Sequence, residues 1–147
     1  MAAGGAAEWI ESFRANGIWL AGVVALTATV GSLLYSEMVG FEPCRLCWWQ
    51  RYFMYPLAVL LLGAAWRKAG GWARILGLYA ALIGAGISVQ HYWLQRHPEL
   101  EGGSCSIDVP CSAAYIWRLG FISIPYLAFS AFALIGVLLW IAKPSNS

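Results

Sequence analysis

Charged residues are scarce in this chain. Of its 147 residues only 11% are Asp, Glu, Lys or Arg, whereas 61% are hydrophobic. A soluble domain carries about twice that charged fraction, so the composition excludes an ordinary water-soluble fold. The net charge is only +2 and no basic patch occurs, which argues against nucleic acid as a partner. The chain also lacks internal repeats and low-complexity tracts, and we expect a single domain over residues 1–147.

Long runs without any charge divide the chain. A helix needs about 20 residues to cross the hydrocarbon of a bilayer, and four apolar stretches reach that length. One of them, which begins at Cys47, contains a single charge, Arg51. The sequence therefore predicts an all-α integral membrane protein, a four-transmembrane-helix bundle in contact with membrane lipid. The predicted spans are about 16–36, 47–66, 74–94 and 119–142.

Tryptophan and proline mark further features of these spans. Indole rings favour the headgroup level of a bilayer, and seven tryptophans lie close to a predicted span end. Pro56 and Pro125 are predicted inside spans two and four, where membrane bundles tolerate a kinked helix. The seven tryptophans are Trp19, Trp48, Trp49, Trp66, Trp72, Trp93 and Trp140.

The distribution of basic residues predicts the topology. The connection between spans two and three holds Arg67, Lys68 and Arg74 and no acid. Positive residues in short loops stay in the cytoplasm, so we expect this connection and both termini inside. The other two connections then form extracytoplasmic loops. Residues 112–119, in the second of these loops, predict a short helix on the membrane surface, and residues 8–14 predict another on the inner side.

All four cysteines fall in the two outer connections, on the side of the membrane where disulfides persist. Cys44 and Cys47 form a C-x-x-C pair at the predicted start of span two, and Cys105 and Cys111 lie in the second loop. The positive end of a helix and a nearby cation both stabilise a thiolate. Arg51, one turn after Cys47, is also placed to donate to a quinone carbonyl, although an arginine at this depth often only reaches back to the interface.

Three interpretations of the cysteines stay open on residue grounds. Four thiolates suit zinc, although the spacing of the second pair is unusual for a zinc site. Static disulfides would staple the loops. A redox relay needs two pairs that approach each other and one accessible pair, and this arrangement supplies both. His91, near the outer end of span three, is a candidate for contact with a quinone oxygen or is an ordinary interfacial residue.

Two segments carry a resemblance to a known family. FEPCRLCWWQRYFMYPL resembles the first outer loop and second helix of the DsbB-type disulfide bond formation proteins. CSIDVPCSAAYIWRLGFISIPYLAF resembles their second outer loop and fourth helix, most closely in the short-loop BdbC branch. Vitamin K epoxide reductase-like proteins share the four-helix, quinone-linked arrangement. However, they place the C-x-x-C pair after the loop pair, which is the reverse of the order here.

The resemblance implies a quinone-dependent thiol oxidase of the bacterial inner membrane, with ubiquinone or menaquinone as acceptor. It would reoxidise a DsbA-like, thioredoxin-fold protein outside the cytoplasm. By resemblance, Cys105 would form the mixed disulfide with that partner, Cys111 would exchange with Cys44, and Cys47 would face the quinone beside Arg51. Long-loop members separate their second pair much further, so which cysteine of this pair meets the partner stays open.

Overall fold

The computed structural model describes residues 2–40, 45–67, 70–100 and 123–142, and these residues are helical apart from short connections. Cys44, Cys105 and Cys111 lie outside the described residues, as does the predicted surface helix at 112–119. A short 3-10 turn, Pro98–Leu100, follows the fourth helix. The helices are α1 (Ala2–Ala15), α2 (Gly17–Glu37), α3 (Arg45–Arg67), α4 (Gly70–Arg96) and α5 (Ile124–Ile141).

Three helices in the described residues are long and apolar enough to cross a membrane. They are α2, the Gly71–Arg96 part of α4, and α5. Helix α3 has 23 residues but is not among them. The all-helical membrane architecture is therefore confirmed, whereas the predicted count of four spans is not.

Helices α2 to α5 form a ring, in which each helix packs on two others. Helix α2 contacts α3 and α5, and α4 contacts α3 and α5. The centre of the ring is filled by fully buried Leu57, Leu61, Phe132, Ile135 and Leu139. The outward faces are also apolar, and this pattern suits a bundle surrounded by lipid rather than water.

One contact between α4 and α5 depends on the lack of a side chain. Gly84 is buried beneath the ring of Phe132, and a Cβ atom at this position would overlap the ring. Small residues allow such close approach between membrane helices. This contact fixes the position of Phe132, which also forms part of a cavity wall described below.

Two arginines close the C-terminal end of α5. Arg74 donates from Nε to the carbonyl of Leu139 at 2.7 Å and from Nη2 to that of Trp140 at 3.0 Å. Arg14 donates from Nε to the carbonyl of Ile141 at 3.3 Å. The last carbonyls of a helix have no partner within it and carry partial negative charge. Two guanidinium groups therefore satisfy three consecutive carbonyls and tie α1 and α4 to α5.

The two prolines differ in their positions. Pro56 lies inside α3, as predicted. The prediction for Pro125 was wrong, because α5 begins at Ile124 and Pro125 occupies its first turn. A proline at that position removes an N–H that would have no partner within the helix anyway, so it favours helix initiation rather than a kink.

Candidate functional site

A cavity of about 500 Å³ lies between α2, α3 and α5. Most of its lining is aliphatic or aromatic, and the lining residues of α2 run from Val23 to Ser36. With a helical rise of 1.5 Å per residue, this stretch extends over roughly 20 Å. The cavity is thus a long slot that follows α2.

Three residues of α3 line this cavity at intervals of one helical turn, namely Cys47, Arg51 and Tyr55. Side chains four residues apart lie on the same face of a helix, so the sequence spacing brings these groups to one wall. Cys47 is half-buried, in the first described turn of α3. The cavity therefore has a thiol and a cation at one end, and apolar walls along most of its length.

Arg51 is held in place by α2. Its Nε donates to Ser32 Oγ at 2.9 Å, and its Nη2 donates to the carbonyl of Ser32, also at 2.9 Å. The guanidinium carbon lies 5.4 Å from the centre of the Trp48 ring, close enough for a cation–π interaction. In the described part of the chain no carboxylate pairs with it. Its charge is therefore positioned by the protein, with further N–H groups left to donate to a ligand.

Gln50, the residue before Arg51, joins the cavity wall to α4. Its Nε2 lies 3.3 Å from His91 Nδ1, and the two side chains are 6% and 2% exposed. Gln50 lines the cavity but His91 does not. The structure thus places His91 behind the wall, in contact with a residue that faces the slot.

Comparison with known proteins gives the family. A sequence model described as disulfide bond formation protein DsbB matches residues 15–142. Disulfide bond formation protein C of Bacillus subtilis is 47% identical over 126 residues, which cover 85% of this chain and 91% of that protein. A probable disulfide formation protein of Oceanobacillus iheyensis is 44% identical over 123 residues, 82% of each chain. No solved structure matches.

The chain belongs to the DsbB family. The resemblance noted in the sequence is thereby confirmed, and with it a role in disulfide bond formation, which is an oxidoreductase reaction of thiols. The family assignment rests on most of the chain and not on the C-x-x-C pair alone. The role of each cysteine stays a prediction.

Residue spacing predicted Cys47 and Arg51 as site candidates, and both line the cavity; Ser32, Gln50 and Tyr55 also line it but were not predicted. A signal for Ser32 and Gln50 was available in the sequence, because a polar side chain in a predicted span is costly unless it finds a partner. The partner of each lies on another helix, and no spacing rule along the chain reveals it. No group of three metal-ligating side chains occurs within the described ranges, which contain only Cys47 of the four cysteines.

Proposed function

We propose that this chain is a membrane thiol:quinone oxidoreductase that generates disulfides and reoxidises a DsbA-like, thioredoxin-fold dithiol protein outside the cytoplasm. One observation carries the proposal: Cys47 and the immobilised guanidinium of Arg51 line the same apolar cavity. Such a pairing serves a thiol that passes electrons to a lipid-soluble acceptor. A structural disulfide would need no adjoining cavity.

The residues of the cavity fit a quinone. Ubiquinone and menaquinone each combine a ring bearing two carbonyl oxygens with a long isoprenoid tail. The slot offers hydrogen-bond donors at the Cys47 end and apolar walls along α2 and α5. The polar end would suit the quinone ring, and the apolar walls would suit its tail. Arg51 would hold a ring oxygen and stabilise negative charge on it, since a fixed cation in an apolar site acts strongly on developing charge.

The cysteines would carry electrons in the order expected from the family. In this order Cys105 would form a mixed disulfide with the partner, and Cys111 would exchange with Cys44. Cys47 would then pass electrons to the acceptor in the cavity. The two electrons and two protons that the partner's dithiol loses as it becomes a disulfide would pass to a quinone bound in the cavity.

His91 would act through Gln50 rather than by direct contact. The hydrogen bond between the two side chains fixes the Gln50 amide against the cavity, and a buried polar pair restrains the wall at this point. His91 is then a positioning residue for the acceptor site.

We further propose that α3 crosses the membrane as a fourth span within the ring, with both termini in the cytoplasm of a bacterial cell. The short apolar stretch of α1 that exposes Trp9, Ile10 and Phe13 would lie on the inner surface of the membrane. The bundle geometry supports this arrangement, because α3 packs against both α2 and α4, which are themselves long enough to span.

Oxidation of a reduced thioredoxin-fold dithiol protein tests the proposal. The purified chain in detergent is mixed with that protein, with and without a short-chain quinone. We expect oxidation that requires the quinone and is lost in Cys47→Ser. In Arg51→Ala the KM for the quinone should rise, whereas it should not change in Arg67→Ala, which removes an exposed cation from the far end of α3.

A purely structural role for the cysteines predicts the opposite. The four thiols would then resist reductant, and added quinone would not reoxidise them. Full quinone-dependent oxidation by Cys47→Ser would also overturn the proposed electron path.

A further inference from the structure

Two cations converge on the C-terminal end of α5. Helix α5 packs between α2 and α4. Arg74 reaches its end from α4, and Arg14 reaches it from the last turn of α1, which leads into α2. Their hydrogen bonds end on the consecutive carbonyls of Leu139, Trp140 and Ile141. The two guanidinium groups are therefore held at one place on the surface of the bundle.

The positive charge at this place is larger than the helix end requires. The end of a helix carries about half a negative charge, whereas each guanidinium carries a full positive charge. Among the described residues, Glu11 is the only acid within ion-pair distance of either group. Its Oε2 lies 3.8 Å from Arg14 Nη1, and both side chains are exposed, so this pair contributes little. A net positive charge therefore remains for an anion to neutralise.

Each guanidinium also keeps a terminal nitrogen for a further acceptor. Arg74 donates from Nε and Nη2, and Arg14 uses Nε and Nη1. Arg74 Nη1 and Arg14 Nη2 have no partner in the part of the chain that the structure describes. Phosphate oxygens suit such nitrogens, because guanidinium groups bind them through charge-assisted hydrogen bonds. Since both side chains are already held by α5, they would lose little freedom on binding.

The surface of α5 next to the arginines is apolar. Trp140 and Val137 are three residues apart, and they are 74% and 57% exposed. Side chains at this spacing lie on one face of a helix, so the two form an outward strip that leads from the arginines along α5. An indole ring favours the headgroup level of a bilayer, and the aliphatic part of the strip suits an acyl chain. A phosphate joined to acyl chains fits this combination better than free phosphate does.

We propose that Arg14 and Arg74 bind the phosphate of an anionic phospholipid, with an acyl chain along Trp140 and Val137. A zwitterionic headgroup suits the site less, because its own cation would be repelled by the two guanidinium groups. Basic clusters between membrane helices commonly hold anionic headgroups. None of these four residues lines the cavity, so the inference does not depend on the proposed thiol and quinone chemistry.

Binding of phosphatidylglycerol to the purified full-length chain in a nonionic detergent tests the site. Native mass spectrometry compares it with phosphatidylcholine that carries the same acyl chains. We expect Arg14→Gln and Arg74→Gln each to weaken binding of phosphatidylglycerol about fivefold, the usual effect of one basic residue at an anionic membrane surface. Binding of phosphatidylcholine should be weak and should not change. Arg67→Gln is the matched control, because it removes the same charge from an exposed residue of α3, which lies across the ring from α5.

Arg14→Gln decides the outcome. Arg14 is exposed and makes one hydrogen bond to α5, at 3.3 Å, so this variant should fold, whereas Arg74→Gln also removes bonds that stabilise the bundle. Equal weakening by Arg14→Gln and Arg67→Gln would assign binding to net charge and overturn the proposal. Displacement of the lipid by excess inorganic phosphate would show that the arginines recognise phosphate alone, and it would overturn the lipid assignment. Quinone-dependent oxidation should continue in Arg14→Gln, so failure of the lipid site leaves the proposed function standing.

Discussion

Gln50 Nε2 lies 3.3 Å from His91 Nδ1, where α3 packs on α4. Only Gln50 of this pair faces the cavity, so a polar contact across two helices lies directly behind its wall. Both side chains are almost fully buried, and a buried hydrogen bond of this kind restrains the two helices relative to each other.

We predict that Gln50→Ala and His91→Ala each raise the KM for a short-chain quinone, and that the double variant is little worse than either alone. Each single change already removes the same hydrogen bond, so the two effects should not add. A double-mutant cycle on KM and on thermal stability in detergent measures the coupling, which we expect to be about 1 kcal/mol. Fully additive effects would show that His91 does not act through Gln50.

Gly31 allows a test of the slot itself. It lines the cavity, and a Cβ at this position would meet no other atom within 4 Å. We therefore expect Gly31→Leu to fold, because the new side chain enters open space. Under the proposed function it would occupy volume that a bound quinone needs. The KM for the quinone should rise by at least tenfold, while thiol exchange with the partner protein continues in single-turnover assays.

Gly86→Leu is the control for this change. Gly86 lies exposed on α4, and a Cβ there also meets nothing within 4 Å, but it does not line the cavity. Equal effects of the two substitutions would mean that the slot is not the acceptor site.

Arg74 is predicted to stabilise the bundle through the end of α5. Arg74→Ala leaves the carbonyls of Leu139 and Trp140 without these donors. Allowing for partial exposure, we expect a loss of about 2 kcal/mol in unfolding free energy, measured by reversible denaturation in mixed micelles. Arg67 belongs to the same predicted loop, but its side chain is exposed. Arg67→Ala should therefore lower the free energy of unfolding much less. A similar loss in both variants would assign the effect to net charge instead.

The helices could be predicted from the sequence because charge is excluded from hydrocarbon. The charge-free runs gave helix positions within a few residues of those observed for α2 and the end of α4. The start of α5 could not be predicted in this way. The run begins at residue 119, whereas the helix begins at Ile124, since lack of charge shows where lipid is tolerated and not where helical hydrogen bonding starts. The misplacement of Pro125 followed from that difference.

The candidate site was predicted only where its residues share one helix. Cys47 and Arg51 are one turn apart, so helical periodicity alone puts them on a common face. Ser32, which holds Arg51, lies on α2 amid apolar residues, and His91, which holds Gln50, lies on α4. Arg74 was predicted only as a marker of topology, and its bonds to α5 depend on packing that the sequence pattern does not show.

The apolar walls of the cavity determine how its occupancy should be counted. Under the proposed function a quinone would enter along α2 and α5 from the bilayer, where its abundance is a mole fraction among lipids rather than a concentration in water. Adding phospholipid at constant protein and constant quinone would then lower occupancy, although the amounts per litre stay the same. The turnover rate of this chain should accordingly depend on the amount of quinone per area of membrane.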